Sequence, residues 1–175
     1  MRLFLSLLLV IAGTTHAAAL PAESPLSRKA VARSTPFLTI DLATRGFALG
    51  APVFIRIFKQ EARLEVWLED GERYRLYRSY PICRYSGQLG PKLREGDHQA
   101  PEGVYFVRPG QMNPNSSYHL SFNLGFPNAY DRAMARSGSY LMVHGDCLSA
   151  GCYAMASSPR LWAPDRNAPI EEIWT

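Results

Sequence analysis

RLEVWLEDGERYRLYRSYPI, residues Arg63 to Ile82, reads as two strands and the turn between them. Leu64, Val66 and Leu68 alternate with Glu65, Trp67 and Glu69, the two-residue period of a strand with one face in a core. Asp70-Gly71 supplies a two-residue hairpin turn, and the chain returns antiparallel from Arg73 to Ile82 with Tyr74 and Leu76 on one face. Upstream, Val53-Phe54-Ile55-Arg56-Ile57-Phe58 follows Pro52 as another strand. This half of the chain is therefore predicted to be a β-meander.

Downstream, Pro91 to Pro101 reads as a polar loop, Gly103 to Val107 as a further strand, and residues 109–117 as a turn-rich loop. Tyr118, Leu120, Phe122 and Leu124 alternate with polar residues and are expected to face inward. A second loop, Gly125 to Ser137, carries Phe126, Asn128, Tyr130, Asp131 and Arg132. Aromatic and amide-rich loops of this kind suit a sugar-peptide ligand, although ordinary surface connections look the same. Upstream of the meander, residues 20–34 read as a mobile leader. Thr35-Pro36 then looks like a helix cap followed by proline at the first helical position. Phe37, Ile40 and Leu42 would pack a short helix that stops near Gly46.

The ends carry their own signals. Arg2, the apolar run Leu3 to Ala12 and the small residues around Ala17-Ala18-Ala19 form a secretory signal over residues 1–19, too short for a comfortable membrane span. Asn167 to Trp174 starts like a capped helix with acids in its first turn and stops after about two turns, the pattern of a C-terminal truncation. Composition fits one globular domain: 175 residues, 47% hydrophobic and 19% charged. The formal charge of +4, or +3 once Arg2 leaves with the signal, is only mildly basic. No basic stripe interleaved with aromatics supports nucleic-acid binding, and no glycine-rich phosphate loop implies a nucleotide cofactor.

Chemistry concentrates in LMVHGDCLSAGCYAM, Leu141 to Met155. Leu141 to Val143 reads as the end of a buried strand that delivers His144, and Gly145 and Gly151 bracket a tight loop leading to Cys152. A thiol and an imidazole brought together by such a loop make the nucleophile-and-base pair of covalent acyl transfer. Gly151 permits a close backbone approach that a side chain would block. The N–H groups around Gly151 and Cys152 are placed to face the oxygen of a tetrahedral intermediate. The Gly145 carbonyl, the Ser149 hydroxyl and Asp146 are all candidates to orient His144.

His144-Gly145, a short spacer and Ser149-Ala150-Gly151-Cys152 resemble the active-site signature of the YkuD-type L,D-transpeptidases, cysteine enzymes of the bacterial cell wall. Ala100-Pro101-Glu102-Gly103-Val104-Tyr105 is similar to an upstream segment of that family. Ser86 to Leu93, Gln111 to Asn115 and Tyr130-Asp131-Arg132 resemble its YafK-like branch. Together these stretches cover roughly residues 51 to 157. The chain departs from many members at Ala150 and Ala154, where a basic residue and an arginine are common. The resemblance implies a mainly β (α+β) fold, a YkuD-like β-sandwich with the site at a strand-end loop, spanning residues 51–175 after a leader and short helix at 20–50. It implies Cys152 as nucleophile, His144 as base, and Gly151, Ser149 and Gly145 in the oxyanion loop. It further implies peptidoglycan stem peptides as substrate, no cofactor, and an exported, periplasmic location. Arg132, Tyr130, Asn128 and Lys92 are the candidate substrate contacts.

Rival readings follow from the same residues. Hydrolysis of the acyl-enzyme would release lipoprotein from peptidoglycan. A non-catalytic peptidoglycan-binding module would retain the site as a relic. His144, Cys147 and Cys152, with Asp146 or His119, offer a zinc set, but no Cys-x-x-Cys pair accompanies them. Three cysteines leave one thiol over. Cys83 and Cys147 can pair, whereas a Cys147–Cys152 bond would silence the nucleophile.

Overall fold

The computed structural model describes residues 23–155. The expected signal sequence and the amphipathic segment at 167–174 lie outside the described residues. Helix α1 spans Pro25–Thr44, followed by β1 (Val53–Phe58), β2 (Arg63–Asp70) and β3 (Arg73–Tyr85). A 3-10 turn at Pro109–Gln111 leads into β4 (Met112–Asn113), β5 (Ser121–Asn123), helix α2 (Ala129–Ala133), β6 (Met142–Gly145) and β7 (Tyr153–Met155). The seven strands hydrogen-bond in the order β1-β2-β3-β7-β6-β5-β4. All neighbours are antiparallel except β6 and β7. The expectation of a mainly β, α+β chain holds. No helix among the described residues is long and apolar enough to cross a membrane.

The helix begins ten residues before the expected cap, so the stretch read as a mobile leader is mostly helical. Ser24-Pro25 carries the same cap-then-proline signature as Thr35-Pro36, and Ser24 is the real cap: its hydroxyl accepts the Ser27 N–H at 3.0 Å. The same hydroxyl donates to the Pro114 carbonyl at 2.6 Å, so the helix start is tied to the far sheet edge. Pro36 then lies inside the helix. Thr35 instead turns its hydroxyl back on the Val31 carbonyl at 2.8 Å. Leu38 and Leu42 pack inward with Ala30, while Phe37 (51% exposed) and Ile40 (67%) face outward, contrary to expectation.

The meander lies where the alternation places it, with two differences. The connecting residues are Gly71-Glu72, one place later than expected, because Asp70 still pairs with Arg73. Opposite Val66 and Trp67 the register skips Tyr77, a β-bulge that turns an extra side chain inward. Tyr74 and Leu76 do share a face, but it is the outward one; Tyr77, Tyr80 and Ile82 join the core instead.

The second half is less regular than predicted. Residues 103–107 form no ladder, and Val104 (76% exposed) and Phe106 (82%) stand outward. Only Ser121–Asn123 of the predicted 118–124 strand pairs with neighbours, since His119 adopts a left-handed φ of 75° just before it. Leu120, Phe122 and Leu124 nonetheless face the core as expected. They meet Leu64, Val66, Val143, Tyr153 and Met155, so both halves close over one apolar centre.

Candidate active site

Strand β6 is short and almost wholly buried, with Val143 fully enclosed beside Phe122. Its ends are set by two residues in the left-handed region, Tyr140 (φ 53°) and Asp146 (φ 70°). His144 sits near its end, opposite Ser121 on one side and Ala154 of β7 on the other. β6 and β7 run parallel, and Cys152 lies just before β7, two residues ahead of the Ala154 that pairs with His144.

The imidazole is held on two sides. Its Nδ1 lies 2.6 Å from the Gly145 carbonyl, which can only accept, so Nδ1 carries a proton and Nε2 is the ring nitrogen left free of that bond. Of the three candidates to orient His144, the backbone carbonyl is the partner observed. The Tyr118 ring, expected to be an ordinary inward strand residue, stacks on the imidazole with centroids 5.0 Å apart and planes 25° apart. The imidazole itself is buried.

Cys152 is a free, half-buried thiol. Its sulfur accepts the Met142 N–H at 3.4 Å, and its S–H points to the Tyr140 carbonyl at 3.8 Å. Burial pushes the thiol pKa up, and the Met142 hydrogen bond only partly offsets this. The resting thiol is accordingly kept protonated. Cys83 and Cys147 form a disulfide that ties the loop between His144 and Cys152 to the end of β3. This removes Cys147 from the alternative zinc set and excludes the Cys147–Cys152 switch in this state. Among the described residues no group of three or more potential metal ligands comes together.

The loop backbone differs from expectation in one respect. The Gly151 N–H donates to the Ser86 hydroxyl at 2.8 Å, and the Cys152 N–H donates to the Ser149 hydroxyl at 3.1 Å. Both donors expected to face an incoming oxygen are engaged by hydroxyls. Gly151 itself behaves as read: at φ 138°, a Cβ there would come within 3.1 Å of the Leu141 side chain.

Of the four candidate substrate contacts, Lys92 and Asn128 serve local structure, while Arg132 and Tyr130 are exposed. Lys92 is 3% exposed and bonds Asp97 at 2.5 Å, so its ammonium does not face solvent. Asn128 caps α2 by accepting the Asp131 N–H at 2.8 Å and donates its own amide to the Val104 carbonyl at 2.9 Å. Arg132 bonds the Pro127 carbonyl. Tyr130 is exposed and lies under the Arg136 guanidinium. The buried group that organises this region is Asp131, which takes Tyr105 at 3.0 Å and Arg136 at 2.9 Å.

No family model matches the chain. Over 109 residues, 62% of its length, it is 55% identical to the Escherichia coli K-12 protein named "Putative L,D-transpeptidase YafK". The same figures apply to the protein of that name from E. coli O157:H7. The match takes in 44% of each relative, so this chain spans less than half the length of the proteins it matches. Among solved structures it is similar to the helical cell shape determining protein Pgp2 from Campylobacter jejuni, at 22% identity and a TM-score of 0.48, covering 67% of this chain and 47% of that one. Bd1075 from Bdellovibrio bacteriovorus aligns at 25% identity and a TM-score of 0.46, over 59% of this chain and 40% of the other.

Proposed function

Because the chain is a relative of the YafK-like L,D-transpeptidases, we propose that it is a cysteine acyltransferase acting on peptidoglycan stem peptides. The observation that carries this reading is the free thiol of Cys152 just before β7, the strand that pairs with His144, whose Nδ1 is bonded to the Gly145 carbonyl so that Nε2 is the ring nitrogen free of that bond. Nε2 takes the thiol proton as sulfur attacks the carbonyl at the L-centre of diaminopimelate. The imidazolium then protonates the departing amine, leaving a thioester on Cys152. An incoming amine passes its proton to His144 as it attacks the thioester. The thiol is regenerated and an amide is formed.

Water in place of the amine makes the protein a hydrolase, which would trim stems or release a linked lipoprotein. One observation favours this variant. Ala154, where many family members carry an arginine, is fully buried, so no cation stands there to meet an acceptor. The site works on an extracytoplasmic polymer, so the protein would be exported. The Cys83–Cys147 disulfide fits an oxidising compartment.

The test is mass spectrometry of products from sacculi that carry tetrapeptide stems and bound lipoprotein, comparing the wild type with Cys152→Ala. New cross-links or exchanged terminal residues, absent with the variant, establish transfer. Freed lipoprotein or tripeptide stems establish hydrolysis through the same thiol. No Cys152-dependent product from folded protein overturns the reading and leaves a binding module.

A further inference from the structure

Two serines, from opposite ends of the described chain's catalytic half, meet behind the nucleophile. Ser86 is buried just after β3, and its hydroxyl lies 2.7 Å from that of Ser149. Proton counting fixes the direction of every bond. Ser149 has one hydroxyl proton, and it goes to the Cys152 carbonyl at 2.7 Å. In the serine pair, Ser149 must therefore accept and Ser86 donate. Ser86 in turn accepts the Gly151 N–H at 2.8 Å, and Ser149 also accepts the Cys152 N–H at 3.1 Å. The result is a single-direction chain from Gly151 through Ser86 and Ser149 to the Cys152 carbonyl. Such chains strengthen link by link in a buried setting.

We infer that Ser86 is a positioning residue for the thiol: acting through Ser149, it clamps the peptide units on both sides of Cys152. The inference rests on the proposed acyl-transfer reading but is separable from it. Ser149 alone can hold the Cys152 N–H and carbonyl, yet nothing then fixes Ser149 itself or the Gly151 amide. Ser86 supplies both restraints from β3, the strand whose end also carries Cys83 of the disulfide. The clamp also keeps the Gly151 and Cys152 N–H groups occupied at rest, so stabilising an oxyanion there requires these bonds to be exchanged for bonds to substrate.

The experiment compares the wild type with Ser86→Ala, Ser149→Ala and the double variant. It follows turnover on sacculi and, separately, the pH profile of Cys152 alkylation by iodoacetamide, which needs no substrate. A loosened turn exposes the sulfur while spoiling its aim, so the two readouts should move in opposite directions. Ser86→Ala is expected to lower kcat by between about 10- and 100-fold with little change in KM. Alkylation at pH 7 should become several-fold faster, its profile moving down toward that of an ordinary thiol. Because the hydroxyls act as one chain, the double variant should lose no more than the worse single variant.

Wild-type kcat and alkylation in Ser86→Ala overturn the inference. So do additive losses in the double variant, or losses in both readouts that merely follow the folded fraction measured by circular dichroism. If Ser86→Ala does not fold, Ser149→Ala, which cuts the chain at its middle link, must show the same opposed shifts or the inference fails. If the wild type turns over nothing, the acyl-transfer reading fails while the alkylation profiles still decide the clamp.

Discussion

A thiol at a strand end becomes a nucleophile only when something removes its proton, and at Cys152 the surroundings oppose an early loss. Burial raises its pKa, and the lone S–H is directed to the Tyr140 carbonyl rather than to a cation. In the absence of substrate, iodoacetamide should therefore label Cys152 slowly at neutral pH. The rate should reach half its maximum above the ordinary thiol value of about 8.5. A midpoint near pH 7 would reveal a preformed thiolate and contradict the protonated resting thiol. At this scale the sequence was most informative about chemistry tied to residue type. The need for glycine at 151 was legible, and so was the leftover thiol, which the structure leaves on Cys152. The group orienting His144 was narrowed to three candidates, the observed Gly145 carbonyl among them, but not chosen, since a backbone carbonyl leaves no mark in the sequence. Nor was Tyr118, whose stacking on the imidazole depends on the left-handed turn at His119.

Elements were read correctly where periodicity was local and failed where a distant partner set the outcome. β1 and β2 lie where expected, and Leu64, Val66 and Leu68 of β2 are buried as their alternation implies, although Glu65 between them is buried too. The bulge at Tyr77 and the missing ladder at 103–107 depend on neighbouring segments that alternation cannot see. The loop from Lys92 to Gln99 is a clearer case, because it read only as a polar loop with Lys92 offered to substrate, yet Lys92 and Asp97 hold the segment from within. Burial would raise the Asp97 carboxyl, but bonds from Lys92 and from the N–H groups of Arg94, Gln99 and Leu93 outweigh it and hold the pKa well below the usual carboxylate range. Asp97→Asn strands the buried Lys92 ammonium and should cost about 3 kcal/mol. A group with a depressed folded pKa stabilises fully above its unfolded value, about 3.9, and loses that contribution as pH falls toward the folded one. The difference in urea midpoint between wild type and variant should thus stay constant from pH 7 to about pH 4 and narrow only below that. A difference that fades between pH 7 and 5 would assign the stabilisation to another group.

At the scale of the whole molecule, the site exists only because β7 inserts between β3 and β6, strands far apart in sequence. Short strands held by few ladder bonds make a weak frame for a nucleophile, and the disulfide between Cys83 and Cys147 reinforces the frame where it is thinnest. It joins residues 64 apart and restrains the loop between base and thiol from the β3 side. Closing a loop of that length in the unfolded chain is worth about 4 kcal/mol in the chain-entropy treatment. All three cysteines of the chain are then accounted for, and the accounting can be checked by mass. Native protein treated with excess iodoacetamide should gain one label, at Cys152, and three after reduction under denaturing conditions. More than one label on the native protein would mean the disulfide is absent. The Cys83→Ala/Cys147→Ala variant should lose about 2–4 kcal/mol in urea unfolding. Its folded fraction should also turn over substrate more slowly, because the loop that sets the spacing of His144 and Cys152 has lost its covalent tie. If stability falls and turnover per folded molecule does not, the disulfide serves the fold alone, and alignment of the thiol rests on the hydroxyl chain from Ser86.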